Sequence, residues 1–273
     1  MNMITKRNAF GVLTALTVSM ALVCQPVPIT GRRQLNLIPS GQINQLSFQQ
    51  YEQMLEEMQV VSGTEQAQMV KRVGRRIRSA VEQYMRENDM SGQLEGYEWE
   101  FTLFEDSTAN AWAMPGGKVG IHTGIMPIAE TETGLAVVMG HEIAHAIAEH
   151  GNERMSQQLL VQLGGVALSE ALSKRPKATR QIFMAAYGLG SQVGVLLPYS
   201  RLHESEADRL GLIFMAMAGY DPRQAIDFWQ RMQEKAGGKA PPEFLSTHPA
   251  HKDRIARIEE LLPDAMEYYR KEQ

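Results

Sequence analysis

The sequence has little cysteine and little excess charge. Its single cysteine, Cys24, cannot form an internal disulfide, so the fold must be stable through its packed core. The net charge of −4 offers no basic surplus for binding nucleic acid or an anionic membrane surface. With 273 residues, 44% of them hydrophobic and 21% charged, the composition is that of one large globular domain or two small ones.

Long apolar runs are also scarce. A basic start precedes an apolar run from Ala9 to Val23, which is too short to span a bilayer comfortably and is typical of an export signal. Cys24 lies where a bacterial lipoprotein cysteine would lie; cleavage after Ala21, or retention as an uncleaved anchor, are the alternatives. We therefore expect residues 1–24 to be a signal peptide. The expected location is the periplasm of a bacterial cell envelope, with a lipid anchor to the outer membrane through Cys24.

The rest of the chain is predicted to be a single unit. Residues 25–46 are rich in proline, glycine and polar residues, which is typical of a tether that packs on a domain surface. Residues 47–262 are predicted to form the domain, and residues 263–273 a polar tail. A second apolar segment, 181–197, contains two glutamines and three glycines, which favours a buried helix over a membrane span.

The predicted fold class is α+β and mostly helical. A strand is expected at 97–104, and a strand, tight turn and strand at 110–124, which together predict a small antiparallel sheet or hairpin. A helix is expected from about Gly134 to His150, with Gly151 well placed to end it. The small sheet is expected to lie beside this helix.

The stretch HEIAHAIAEH, residues 141–150, places two histidines one helical turn apart. His141 and His145 project from one helix face, so their rings can hold one metal ion. Glu142 is rotated by about 100° from His141, which places it beside the metal and suits a general base acting on water. The neighbouring residues are apolar, so a buried helix carries these polar groups for a chemical purpose.

A third protein ligand is needed, and two candidates differ in position. His150 is nearer, but a continuing helix would rotate it by about 140° from His145 and away from the metal. Glu204 offers an anionic oxygen, and Asp208 lies on the same helix face four residues later. Two histidines and a glutamate, with a fourth position left to water, form a catalytic zinc arrangement. Asp208 would then contact the outer nitrogen of a ligating histidine.

Together these motifs resemble the HtpX and CAAX-prenyl-endopeptidase group of zinc metallopeptidases. The resemblance is carried by HEIAH, by ESEAD, by NAWAMPGGKVGIHTGIM (110–126) and by STHPAHKDRI (246–255). The stretch PITGRRQLN is similar to secreted bacterial members of the BepA and LoiP type and to the mitochondrial inner-membrane peptidase of the family. The resemblance implies a minimal gluzincin-like domain, and this chain is expected to lack the helical-repeat region of BepA-type members. It implies one zinc ion per chain, bound by His141, His145 and Glu204, with Glu142 as the base and Asp208 orienting a histidine.

The predicted function is zinc-dependent hydrolysis of internal peptide bonds. A strand at the lip of the cleft can pair with an extended polypeptide through its backbone; the residues expected to do so are Asn110, Ala111, Trp112 and Ala113. The expected substrates are unfolded or misassembled envelope proteins. The competing prediction is a metal-stabilised periplasmic chaperone or scaffold with little or latched proteolysis.

The oxyanion of a peptidase needs a further donor. His248 is the candidate, with Arg201 and Tyr199 behind it. Alternatively, His248 occupies the fourth metal position at rest and acts as an inhibitory latch. The sequence leaves both roles open.

Overall fold

The computed structural model describes residues 24–28, 30–163, 200–237, 242–248 and 253–269. Residues 1–23 of the predicted signal peptide, the apolar segment 181–197 and Tyr199 lie outside these residues. Within them, no helix combines the length and the apolar character needed to cross a membrane.

The described elements are mostly helices. The strands are β1 (Cys24–Pro26), β2 (Arg33–Leu35), β3 (Val60–Val61), β4 (Glu100–Phe104), β5 (Ala111–Met114) and β6 (Lys118–His122). The helices are α1 (Ser40–Glu57), α2 (Glu65–Glu87), α3 (Met126–Ala129), α4 (Glu132–Ile147), α5 (His150–Leu163), α6 (Arg201–Met217), α7 (Gln224–Ala236), α8 (Phe244–Thr247) and α9 (Arg254–Tyr268).

The main sheet has the strand order β3, β4, β6, β5. The predicted strand, turn and strand is confirmed as the antiparallel pair β5 and β6. Gly116 and Gly117 make the turn with φ of 79° and 89°, a left-handed conformation that suits glycine. The mostly helical α+β class is also confirmed. The sheet is mixed rather than purely antiparallel, because β4 pairs parallel with β6 while β5 runs back along the other side of β6.

The two faces of β5 serve different parts of the core, because successive strand residues point to opposite sides. Ala111 and Ala113 belong to the core that includes α4, where their small side chains let the strand lie close to the helix. Trp112 and Met114 belong to a second cluster that includes Tyr51 of α1. The strand is therefore held from both sides.

The helix with the HExxH motif, α4, lies at the centre of the domain. Its N-cap is Thr131, whose side chain accepts a hydrogen bond from the amide of Gly134. Every residue from Gly134 to Ile147 is buried. The helix ends at Ile147, before the predicted end near His150, because Glu149 takes a positive φ of 52° and turns the chain into α5.

The backbones of α4 and α6 approach closely where two glycines face each other. A Cβ atom added to Gly140 would lie 2.9 Å from the carbonyl oxygen of Gly211, and one added to Gly211 would lie 2.9 Å from the amide nitrogen of His141. Glu204 and Asp208 precede Gly211 by seven and three residues, which places all three on one helix face. The close contact therefore brings both acidic residues over the HExxH motif.

Candidate metal centre and active site

Four side chains from three separate parts of the chain meet in the interior. His141 and His145 come from α4, Glu204 from α6, and His248 follows the short helix α8. Each offers one ligand atom, and these four atoms lie within 4.8 Å of one another. All four residues are at most 2% exposed, so the group is isolated from solvent.

Four of the six separations among these ligand atoms are close to those around a tetrahedral metal ion. Nε2 of His141 lies 3.1 Å from Nε2 of His145 and 3.3 Å from Nδ1 of His248. Oε1 of Glu204 lies 3.0 Å from Nδ1 of His248 and 3.4 Å from Nε2 of His145. A tetrahedral zinc ion with bonds of about 2.0–2.1 Å separates its ligand atoms by about 3.3 Å. Imidazole nitrogen and carboxylate oxygen are also ligands that zinc accepts, so the residues fit this ion.

The carboxylate of Asp208, also on α6, contacts His141. Oδ1 of Asp208 lies 3.1 Å from Nδ1 of His141, the ring nitrogen that faces away from the cluster. A carboxylate accepts hydrogen bonds, so it favours the proton on Nδ1 and leaves Nε2 of His141 for a metal. Asp208 thus contacts the outer ring nitrogen of His141, which is the contact that the sequence pattern predicted.

A buried arginine that the sequence reasoning missed completes this side of the site. Arg254, on α9, is 0% exposed. Its Nη1 lies 2.9 Å from Oε2 of Glu204, and its Nη2 lies 2.6 Å from Oδ1 of Asp208. The guanidinium also lies 3.4 Å from the ring centre of Trp229. The available signal was helical register, since Arg254 lies one turn before the buried Ile258.

The pKa values of Glu204 and His145 are shifted in the direction that suits a metal site, and that of His141 is shifted in the opposite direction. Burial would raise the pKa of Glu204, but the charges of His248 and Arg254 hold it well below its ordinary value. Burial keeps the pKa of His145 well below its ordinary value, so its ring is neutral. Burial would also lower the pKa of His141, but hydrogen bonds with Asp208 and Glu204 raise it to about 9. A proton therefore competes with a metal ion at His141.

Glu142 lies beside the cluster rather than in it. It is 3% exposed, and burial raises its pKa, which moves this carboxyl towards the range of a general base that acts near neutral pH. Oε1 of Glu142 accepts no hydrogen bond from the described residues, although Nε2 of His248 lies 3.3 Å from it. His248 stacks on Phe244 at 4.5 Å and bridges Glu142 and Glu204.

The other residues predicted to act in the site lie outside the cluster. Arg201 is the first residue of α6 and is exposed. Asn110 directly precedes β5, and the side chains of Ala111, Trp112 and Ala113 are buried. Since β5 is the last strand in the described sheet order and packs beside α4, its backbone is the part suited to a substrate. These roles stay predictions.

A second polar cluster lies behind His145 and was not predicted. His150 is 0% exposed, and its Nδ1 lies 2.9 Å from Nδ1 of His145. Its Nε2 lies 3.2 Å from Oε2 of Glu206. The sequence pattern separates Glu206 from Glu204 because the two lie on different helix faces. His150 was predicted to point away from the metal at the end of a continuing helix; the chain turns at Glu149, and His150 contacts His145 on the side away from the cluster.

The fold and the site define the class of the protein. A mostly helical α+β domain carries an HExxH helix, and a glutamate on a second helix joins its two histidines, which is the arrangement of a metallopeptidase domain. The model of peptidase family M48 matches residues 71–262, and the chain belongs to this family.

The chain is similar to curated proteases, several of which are metalloendopeptidases by name. Over 169 residues it is 41% identical to the mitochondrial metalloendopeptidase OMA1 of Schizosaccharomyces pombe, covering 61% of this chain and 48% of that protein. It is 30% identical over 246 residues to human mitochondrial metalloendopeptidase OMA1, covering 88% of this chain and 46% of that protein. The beta-barrel assembly-enhancing protease of Escherichia coli is 30% identical over 166 residues, covering 58% of this chain and 33% of that protein.

The comparisons correct one prediction. The chain spans about half the length of the OMA1 relatives that it matches, and those relatives are mitochondrial. The predicted location in a bacterial cell envelope, with an outer-membrane anchor through Cys24, is therefore wrong. The prediction relied on the composition of residues 1–24, and a basic start followed by a short apolar run describes more than one kind of N-terminal segment.

Proposed function

We propose that the chain is a zinc-dependent endopeptidase that binds one zinc ion through His141, His145 and Glu204. The observation that carries this proposal is the buried cluster whose donor spacing matches a tetrahedral ion. Membership of peptidase family M48 supports it. The arrangement of two histidines and a carboxylate leaves a fourth position for chemistry, as catalytic zinc sites do.

When bound, zinc supplies Lewis-acid polarisation of the scissile carbonyl and acidifies water. Glu142 is the base: its carboxylate takes the proton of the attacking water and delivers it to the leaving nitrogen. Asp208 holds the ring of His141, and Arg254 holds the carboxylates of Glu204 and Asp208. The protein thus fixes the ligands before substrate arrives, which reduces the reorganisation required during the reaction.

His248 acts as a resting latch in this proposal. Its Nδ1 lies among the three ligand atoms, and its Nε2 lies 3.3 Å from the carboxylate of Glu142. The same space must hold the water and the substrate carbonyl during hydrolysis. The latch also accounts for the nearly complete burial of a site that has to admit a polypeptide. The alternative role of His248 is that of oxyanion donor, and a measurement of activity distinguishes it from the latch.

The proposed substrates are extended polypeptides, such as unfolded or misassembled proteins in protein quality control. The backbone of β5 supports this choice, because an outer strand beside the HExxH helix can add an extended chain to the sheet. Asn110, Ala111, Trp112 and Ala113 would grip the chain with little preference for its side chains, since strand pairing uses backbone groups.

The test measures bound zinc and cleavage of an unfolded, fluorescently labelled polypeptide by the full chain. Glu142→Gln should keep zinc and lose cleavage by a factor of about 100 or more, as the loss of a general base does. Glu130→Gln, which alters a carboxylate 54% exposed at the surface, is the matched control and should cleave like the wild type. His248→Ala should cleave faster than the wild type if it is a latch.

The outcomes separate the candidate functions. Slower cleavage by His248→Ala would support the oxyanion donor instead, and unchanged cleavage would contradict both roles. Zinc binding without any cleavage that depends on Glu142, in the wild type and in the His248→Ala background, would favour a metal-stabilised chaperone or scaffold.

A further inference from the structure

A cluster of five charged and polar side chains lies behind the metal-binding group, and the hydrolysis described above does not use it. We call it the Arg32 cluster; its members are Arg32, His150, Glu153, His203 and Glu206. All except Arg32 are at most 6% exposed. Burying charges of this kind costs free energy of folding unless they are paired, so their presence here needs an explanation.

Arg32 joins the two carboxylates of the cluster. Its Nε lies 3.0 Å from both carboxylate oxygens of Glu206, and its Nη1 and Nη2 lie 3.0 and 2.8 Å from those of Glu153. Thr30 also donates to Glu206, at 2.8 Å. Both Thr30 and Arg32 belong to the loop between β1 and β2. The guanidinium lies between the two carboxylates, so a side chain of the protein supplies the positive charge that balances them.

The two histidines of the cluster each face one of these carboxylates. Nε2 of His203 lies 3.0 Å from Oε2 of Glu153, and Nε2 of His150 lies 3.2 Å from Oε2 of Glu206. The two rings stack with their centres 4.5 Å apart. The cluster therefore holds the ring of His150 from its edge and from its face.

The proton positions follow from the partners. A histidine that binds a metal ion through Nε2 carries its remaining proton on Nδ1, so Nδ1 of His145 donates to Nδ1 of His150 at 2.9 Å. Nδ1 of His150 then accepts, and the proton of this ring lies on Nε2, which donates to the carboxylate of Glu206. The contacts of Arg32 with Glu206 hold this carboxylate in place as the acceptor.

The two ligating histidines thus have equivalent support from opposite ends of the chain. Behind His141, Asp208 is paired with the buried Arg254 from the last described helix. Behind His145, His150 connects to Glu206, which is paired with Arg32 from the first described loop. In each case an arginine fixes a carboxylate, and the carboxylate sets the proton of a ring.

We propose that Arg32 and Glu206 are positioning residues of the metal site, which act through His150 to set the tautomer and the ring orientation of His145. The loop between β1 and β2, which contains Arg32, is then a structural part of the metal site. This inference rests on the proposed metal site, but it concerns metal affinity and geometry rather than peptide hydrolysis.

The test uses the full chain and measures zinc affinity by competition with a chelator, together with the visible spectrum of the cobalt(II)-substituted protein. Glu206→Gln keeps the size of the side chain but lets an amide donate to His150, which favours the wrong tautomer. We expect it, and Arg32→Met, to weaken zinc binding by about 10–100-fold and to change the cobalt spectrum. Arg32→Lys keeps the charge and should recover part of the affinity.

The matched control is Arg72→Met. Arg72 also places Nε and Nη2 at 3.0 and 2.8 Å from a glutamate, Glu132, but this pair lies near the start of α4 and outside the cluster. It should leave zinc affinity and the cobalt spectrum unchanged. Circular dichroism and thermal unfolding of each metal-free variant identify any variant whose fold is lost.

The results distinguish this inference from the proposed function. Wild-type affinity and an unchanged cobalt spectrum in both Glu206→Gln and Arg32→Met would overturn the inference, and so would an equal loss in Arg72→Met. A wild-type chain that binds zinc and shows the expected variant effects, but does not hydrolyse peptides, would support the inference and contradict the proposed function. A wild-type chain without zinc affinity would overturn both.

Discussion

Replacing Arg254 with methionine is expected to destabilise the metal-free protein by about 3–5 kcal/mol, the cost of leaving buried charges without their partner. Arg254 is 0% exposed, and its nitrogens lie 2.9 and 2.6 Å from oxygens of Glu204 and Asp208. At an effective dielectric constant of about 20, each contact has a direct Coulomb attraction of about 6 kcal/mol. The desolvation of the arginine offsets much of this attraction. Methionine keeps the aliphatic part of the side chain but not the guanidinium that lies over Trp229, so the loss of this contact adds to the cost.

Zinc should restore part of this stability, because the ion would compensate the charge of Glu204 but not that of Asp208. The assay is urea unfolding followed by tryptophan fluorescence, with and without zinc. Trp229 is a local reporter, since its ring centre lies 3.4 Å from the guanidinium. The control is Arg209→Met, whose ion pair with Asp264 joins the same two helices at 3.1 Å, with side chains 39% and 55% exposed. It should cost less than about 1 kcal/mol.

Equal losses in Arg254→Met and Arg209→Met would refute the electrostatic reasoning. A loss in Arg254→Met that zinc leaves unchanged would show that Glu204 does not bind the ion. A variant that is unfolded without zinc and folds when zinc is added would agree with the reasoning at its upper limit.

Two further predictions concern the helix contact and the Arg32 cluster. Gly211→Ala would place a Cβ 2.9 Å from the backbone of His141, so α4 and α6 should separate, with a loss of about 1–3 kcal/mol in unfolding free energy and weaker zinc binding. Gly41→Ala, which has open space, is its control in thermal unfolding, and an equal effect would contradict the steric argument. Burial alone would raise the pKa of Glu153, but hydrogen bonds with His203 and Arg32 lower it from 4.5 to about 2. A lowered pKa gives stability that is fully present above about pH 4.5 and lost as the pH falls towards 2. The stability difference between wild type and Glu153→Gln, measured by urea unfolding, should therefore shrink across this interval, and a difference independent of pH would contradict it.

Much of the site follows from patterns within single helices. The interval of four residues in His141 and His145, and again in Glu204 and Asp208, places each pair on one helix face whatever else the chain does. The alternating strands around Pro115 and the glycine turn likewise predict the hairpin from local chemistry. The structure brings these predicted groups together because Gly140 and Gly211 allow the two helices to touch.

Contacts between distant segments could not be predicted from these local patterns. The parallel pairing of β4 with β6 and the burial of Arg254 both depend on how distant parts of the chain pack. The position of His150 depends on Glu149, whose left-handed backbone conformation ends α4 before His150. In a continuing helix, His150 would point away from the metal-binding group.

The sequence by itself therefore determined that His141 and His145 share one helix face and that Glu204 and Asp208 share another, because helical periodicity sets directions within one element. The tertiary structure alone decided which arginines support these groups. Arg32 and Arg254 are 222 residues apart (254 − 32), and each pairs with a carboxylate on the same helix, α6. Periodicity carries no information about such contacts, since they depend on the distance and angle between packed elements.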